Sequence, residues 1–218
     1  MKFNPTPLAV AALLCIVVCG SACAQDAYLG VGVPGLVHLG YAAPVGANWG
    51  LRGEVSGGLN RTVNGNRNGV DMTGTVKYST LGAFADYFPF EGRFRLVAGV
   101  GFNDTKVTLK ATGTNSTTIN GKPVNMTGEY YNVAITYPSA TPSLGIGFGH
   151  QNSTEKGLGF FTDVGAMLGK FSFSSSTSLV GKQNITQADV DAQSAKVRDD
   201  VAKVTVLPSI SLGAVYRF

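Results

Sequence analysis

VTVLPSISLGAVYRF, Val204 to Phe218, is the stretch on which the fold turns. Val204, Val206, Pro208, Ile210, Leu212, Ala214, Tyr216 and Phe218 share one parity, while Thr205, Ser209, Ser211, Gly213 and Arg217 share the other. Leu207 and Val215 are the apolar exceptions on the polar side. Successive side chains of a strand point to opposite faces, so this period of two describes a strand with one apolar face. Its length fits a tilted membrane-crossing strand, which needs about 9–11 residues, and aromatic residues mark its end. The apolar face is expected to meet lipid, and the small and polar face a lumen.

The same alternation recurs upstream. Leu158, Phe160, Val164, Ala166 and Leu168 alternate with Gly159, Phe161, Asp163, Gly165, Met167 and Gly169. Leu144, Ile146 and Phe148 alternate with Ser143, Gly145, Gly147 and Gly149, and Phe94 to Phe102 alternate with Arg93 to Asn103. Weaker copies run through Thr80 to Phe88, Trp49 to Gly57, Leu36 to Ala43 and Tyr28 to Val33. These segments predict an all-β fold, an eight-stranded antiparallel transmembrane β-barrel with both termini on the periplasmic side. From Phe218 back to Phe94, even-numbered residues are expected to face lipid.

The N-terminus reads as a targeting segment. Lys2, the apolar run LAVAALLCIVV and the small residues Ser21 to Ala24 predict a signal peptide over residues 1–24, which leaves the barrel domain at 25–218. The run is too short for a spanning helix, which needs roughly 20 apolar residues. Gly20 argues against lipoprotein processing at Cys23. Cys15, Cys19 and Cys23 all lie in this leader, so neither a disulfide framework nor a thiolate metal site is expected in the remainder. A net charge of +4, of which Lys2 supplies one, is too small to suggest nucleic acid. The 29 glycines with only 14% charged residues suit a glycine-laced β protein.

The connections have the asymmetry of such barrels, which join short periplasmic turns with long outer loops. Short inner turns are expected at His150 to Lys156, Pro89 to Gly92 and Pro44 to Ala47, while the first outer connection, at Pro34-Gly35, is expected to be tight. Long outer loops are expected at Asn60 to Asp71, Thr112 to Pro138 and Ser174 to Lys203. Within the last, Val190, Val197 and Val201 stand at near-helical spacing and predict a short amphipathic helix on the rim or in the lumen.

Taken together, the leader ending in ACA, the alternating strands and the terminal LGAVYRF resemble the small outer-membrane β-barrels of the OmpA and OmpX type. The resemblance implies that Tyr216 and Phe218 act as the signal read by the barrel assembly machinery. It also implies a monomer in contact with outer-membrane lipid and lipopolysaccharide, with outer segments available to a host or phage surface ligand. No peptidoglycan-binding segment is expected after Phe218.

Several motifs lose their first meaning in this setting. Gly30 to Gly35 matches GxGxxG, but Pro34-Gly35 leads into another alternating strand rather than the helix a dinucleotide needs, so it reads as a hairpin. The Asn-x-Ser/Thr triplets at Asn60, Asn115, Asn125, Asn152 and Asn184 follow from Asn- and Thr-rich loops. His38 and His150 are placed at opposite ends of the barrel, which leaves no metal cluster and no cofactor site. A lipid-modifying enzyme would have to use His38 with an outer Ser or Asp, and no such partner is identifiable.

Charge on the inward parity carries more. Arg52, Glu54, Asp86, Arg93, Arg95, Asp163 and Arg217 are all expected in the lumen. Eight strands enclose an interior that side chains just fill, so opposite charges can pair and close it. The same charges could instead line a narrow channel or hold a small solute or hydrophobic ligand. Three readings stand: a structural or surface-interaction barrel acting through its outer loops, a narrow channel or carrier, and, more remotely, an enzyme. A soluble lipocalin-like barrel would need the faces reversed, and a Gly- and Ser-rich face makes a poor core.

Overall fold

A computed structural model describes residues 25–67, 70–90, 92–113, 116–150 and 156–218. The expected leader and most of the expected turn at His150 to Lys156 lie outside them. The elements in chain order are β1 (Asp26–Val33), β2 (Val37–Pro44), β3 (Trp49–Arg67), β4 (Val70–Tyr87), β5 (Phe94–Asn103), β6 (Lys106–Gly113), β7 (Ser116–Ile119), β8 (Lys122–Asn125), β9 (Tyr130–Thr136), β10 (Ala140–Phe148), β11 (Gly157–Leu168), β12 (Ser172–Thr177), α1 (Gln187–Ala202) and β13 (Val206–Arg217).

Eight of these strands close a ring in the order β1-β2-β3-β4-β5-β10-β11-β13, with β13 pairing back to β1 and every neighbour antiparallel. Closure removes the open sheet edges that a membrane cannot accommodate. Each ring strand coincides with one of the eight alternating segments of the sequence. The last strand pairs with β1 from Ala27↔Tyr216 to Val33↔Ile210 and with β11 from Gly157↔Arg217 to Leu168↔Val206. The alternation therefore becomes two radial faces. Leu158 and Phe160 are 73% and 77% exposed on the outside, whereas Arg95 is 0% exposed inside. An outward stripe that includes Leu29, Leu39, Leu144, Ile146 and Leu212 is far more apolar than a water-facing surface tolerates, and it suits hydrocarbon.

The outer segments depart from the expectation of loops. β3 and β4 contain 19 and 18 residues, well beyond one membrane crossing, and their outer halves stay paired from Leu59↔Tyr78 to Arg67↔Val70. A bulge between Ser56 and Leu59 redirects β3 at the rim, with Gly58 at φ +89°, a left-handed conformation that favours glycine. β6, β9 and β12 continue this sheet in the order β3-β4-β6-β9-β12. The expected loop Thr112 to Pro138 therefore contains the β7–β8 hairpin and β9, and the expected loop Ser174 to Lys203 contains most of β12 and α1.

A second core holds these pieces together outside the ring. Ile119 and Val124 of the hairpin, Met126, Leu179, Ile185 and Val190 of α1 form one buried cluster, with Tyr131 packed against it. The helix begins with a capping box in which the Thr186 side chain accepts from Asp189 N while Asp189 accepts from Thr186 N. It lies on β12 and the hairpin, not in the lumen: Ser194 bonds Ser175 and Tyr131, and Arg198 stands over the Phe173 ring. Its three valines do not share one buried stripe, since Val190 is buried, Val201 half-buried and Val197 exposed.

Candidate functional site in the barrel lumen

Inward parity brings Arg52 and Glu54 of β3, Asp86 of β4, Arg95 of β5 and Asp163 of β11 to one level of the lumen. Arg52 Nη1 lies 3.0 Å from Glu54 Oε2, and Arg52 Nε lies 3.3 Å from Asp86 Oδ2. Arg95 spans the same acids, with Nε 3.4 Å from Asp86 Oδ2 and Nη2 2.5 Å from Asp163 Oδ1. Arg52 Nη1 and Asp163 Oδ2, 3.5 Å apart, close the circuit. Two guanidiniums thus cross-link three carboxylates from four strands, a geometry suited to the planar fork of arginine. Burial of such a network is tolerable only because each ion has partners.

Two of the expected lumen charges do not join this layer. Arg217 pairs through Nε and Nη2 with Asp26 at 2.7 and 2.9 Å, at the end of the barrel where β1 begins and β13 ends. Arg93 is a correction: it precedes β5 and is exposed, because the strand and its alternation begin only at Phe94. The terminal aromatics Tyr216 and Phe218 face outward, 51% and 54% exposed, with their rings 5.2 Å apart.

Several lumen residues outside the expected set of charges complete the site. Tyr28 Oη donates to Glu54 Oε2 at 2.8 Å and accepts from Arg52 Nη1 at 3.2 Å. His150 folds back from the end of β10, with Nδ1 3.1 Å from Asp26 Oδ2 and its ring 4.7 Å from that of Tyr28. Tyr28, Phe161 and Val215 then form an apolar cluster on that side of the charges. At the outer end Tyr78, Tyr137 and Met167 form another, backed by Leu59, Phe171 and Leu207. Tyr137 Oη donates to the Met167 carbonyl at 2.8 Å, which fixes that ring across the mouth. The lumen is therefore stacked in three layers, aromatic, ionic and aromatic.

Glycine creates the room for this stack. A Cβ on Gly30 or Gly213 would come within 2.7 Å of the Phe161 ring, and one on Gly40 would overlap the Tyr28 ring. The inward glycines are seats for large side chains, not empty space. Among the described residues a void of about 80 Å³ is lined by His38, Glu54, Ser56, Tyr78, Ser143 and Asp163 among others. It has room for a few water molecules, against the roughly 300–1,000 Å³ of a ligand pocket. The Ser143 hydroxyl is buried beside it with no hydrogen-bond partner among the described residues.

His38 sits at the edge of this void. Its Nδ1 is 2.9 Å from Glu54 Oε1 and its Nε2 is 2.9 Å from the Gly35 carbonyl. The hydrogen-bond partners of both nitrogens are thus a carboxylate and a backbone carbonyl, not a serine or aspartate of the outer segments. A histidine bound in this way is positioned as part of the ionic layer.

Searches of the sequence against protein-family models and against curated proteins find no match. Among solved structures, CarO of Acinetobacter baumannii is 21% identical, covers 88% of this chain and 97% of its own, and superposes with a TM-score of 0.53. CarO2 of the same organism is 19% identical, covers 91% of this chain and 100% of its own, and gives 0.55. At these identities the likeness is one of architecture, and the architecture this chain shares is that of an outer-membrane β-barrel.

Proposed function

We propose that this protein is a closed outer-membrane barrel with a structural or surface-interaction role, exerted through the folded segments on its outer end. The observation that carries this reading is the separate core of Ile119, Val124, Met126, Leu179, Ile185 and Val190. Segments that serve only to connect strands have no need of a core, whereas a recognition surface gains from being held rigid before it binds. The proposed partners are host molecules, phage or neighbouring proteins at the cell surface.

Deleting the β7–β8 hairpin together with α1, with the ring strands rejoined by short turns, is expected to abolish adhesion or phage adsorption and leave solute permeability unchanged. Unchanged adsorption in a variant that still inserts would refute the role assigned to these segments.

A narrow channel or carrier is the second reading, and the void beside Ser143 and Asp163 is what favours it. Planar-bilayer recording separates the two. The closed reading predicts no steady conductance from the wild-type protein. Steady conductance that changes in Arg95→Ala would establish the channel.

A further inference from the structure

The ionic layer of the lumen is one positive charge short. Arg52 and Arg95 supply two cations against the carboxylates of Glu54, Asp86 and Asp163, all on side chains no more than 16% exposed. An unbalanced charge is costly where water cannot solvate it, so a layer buried in this way calls for a third cation.

His38 occupies the position of that cation. Its side chain is 6% exposed, and its ring is wedged against β1, where a Cβ on Gly32 would lie 2.8 Å from Nε2. Nδ1 faces Glu54 Oε1 and Nε2 faces the Gly35 carbonyl, each at 2.9 Å. Glu54 accepts from Tyr28 and Arg52 at its other oxygen, which holds it as a carboxylate. A neutral imidazole has one N–H and satisfies only one of two acceptors, whereas the imidazolium donates to both. With that proton in place, three cations face three carboxylates.

His150 provides the contrast. Its Nδ1 lies 3.1 Å from Asp26, but its Nε2 is buried with no hydrogen-bond partner among the described residues, and Arg217 balances Asp26. One N–H is enough there, so the neutral ring fits.

The groups around His38 offer no other source of positive charge. Among the described residues they are Tyr28 of β1, Arg52 and Glu54 of β3, Tyr78 and Asp86 of β4, Arg95 of β5 and Asp163 of β11, while β10 and β13 present the hydroxyls of Ser143 and Ser211. Both arginines are committed to carboxylates, and a phenol carries no positive charge. The void beside the ring has room for the water that carries a proton in and out.

We propose that His38 and Glu54 form a proton-binding site, in which the proton held on His38 at neutral pH neutralises the ionic layer and ties the β1–β2 turn to it through Gly35. The bond that closes this turn, from Gly32 N to the Leu36 carbonyl, is long at 3.4 Å, so the tie through His38 matters to it. Alkaline pH removes the proton, leaves one of the two acceptors without a donor and frees the turn.

The test is nuclear magnetic resonance of the full barrel, isotope-labelled and folded in detergent micelles. The chain has two histidines, so the ring signals are few, and the set that is missing in His38→Gln identifies the residue. At about pH 7 wild type is expected to show one ring with both nitrogens protonated, His38, and one neutral ring, His150. Raising the pH should convert His38 in a single step, with the amide signals of Gly32 and Gly35 moving at the same midpoint and that of Gly121, in the turn between β7 and β8, unmoved. Glu54→Gln leaves two arginines against two carboxylates, so in that variant the His38 ring should be neutral at about pH 7. An imidazolium that persists in folded Glu54→Gln would overturn the proposal, as would a neutral His38 ring in wild type at that pH or a Gly35 amide that ignores the titration of the ring. Heat-modifiable gel mobility reports folding, and the wild-type titration decides alone where Glu54→Gln does not fold.

Discussion

At the scale of the residue, the lumen depends on exclusion as much as on charge. A Cβ at Gly147 would stand 2.6 Å from Arg95 Cζ and 2.8 Å from its Nε, in the middle of the ionic layer. Gly→Ala at a position whose backbone accepts it ordinarily stabilises by about 0.4–1 kcal/mol. Here the sign is expected to reverse, with Gly147→Ala losing about 1–3 kcal/mol through overpacking, as measured by equilibrium urea unfolding in lipid. A variant as stable as wild type would mean that Arg95 is free to move aside. Parity in the sequence was enough to find Arg52, Glu54, Asp86, Arg95 and Asp163, because each lies inside a regular strand. It could not find His150, since Gly149 leaves the strand at φ +113° and the alternation no longer applies beyond it. Tyr28 lies on a parity that the sequence does mark as inward, but nothing in composition says that its ring will rest over Gly40.

At the scale of the element, two predictions follow from how strands and helix are held. Val164 is outward in mid-strand and 49% exposed, so Val164→Arg places a charge in hydrocarbon. The cost is about 2–4 kcal/mol near the bilayer midplane, and reduced outer-membrane insertion in cells is the expected readout; normal insertion would show the face to be wrongly assigned. In the outer segments, Asp189 joins the helix to the β7–β8 hairpin by accepting from Lys122 Nζ at 2.7 Å and Asn120 Nδ2 at 3.0 Å, and it caps its own helix at Thr186. The Lys122 ammonium, followed by the Thr186 amide, holds this carboxyl well below its ordinary value of 3.8. Because the folded value is depressed, the stabilisation is complete above the ordinary value and is lost as pH falls below it toward the folded value. Methyl NMR signals of Ile119, Val124 and Ile185 should therefore stay sharp at neutral pH and broaden below about pH 3, with Asp189→Asn showing the same loss at neutral pH. Sharp signals in both conditions would remove Asp189 as the link.

At the scale of the whole molecule, the ring and the outer segments were unequally legible in the sequence. The ring is written in a period of two that lipid and a packed lumen both enforce, so all eight strands could be placed. The outer sheet shows no such regularity. Its polar strands are rich in Thr, Ser, Asn and Lys, and the six residues of its core are scattered from Ile119 to Val190 without a period, so only the folded chain brings them together. The central claim is that the outward stripe faces lipid in the outer membrane. Separating inner membrane, outer membrane and periplasm, followed by a carbonate wash, tests this most directly. The protein should remain in the outer-membrane pellet and migrate there as a heat-modifiable band; recovery in the soluble periplasm would contradict the account.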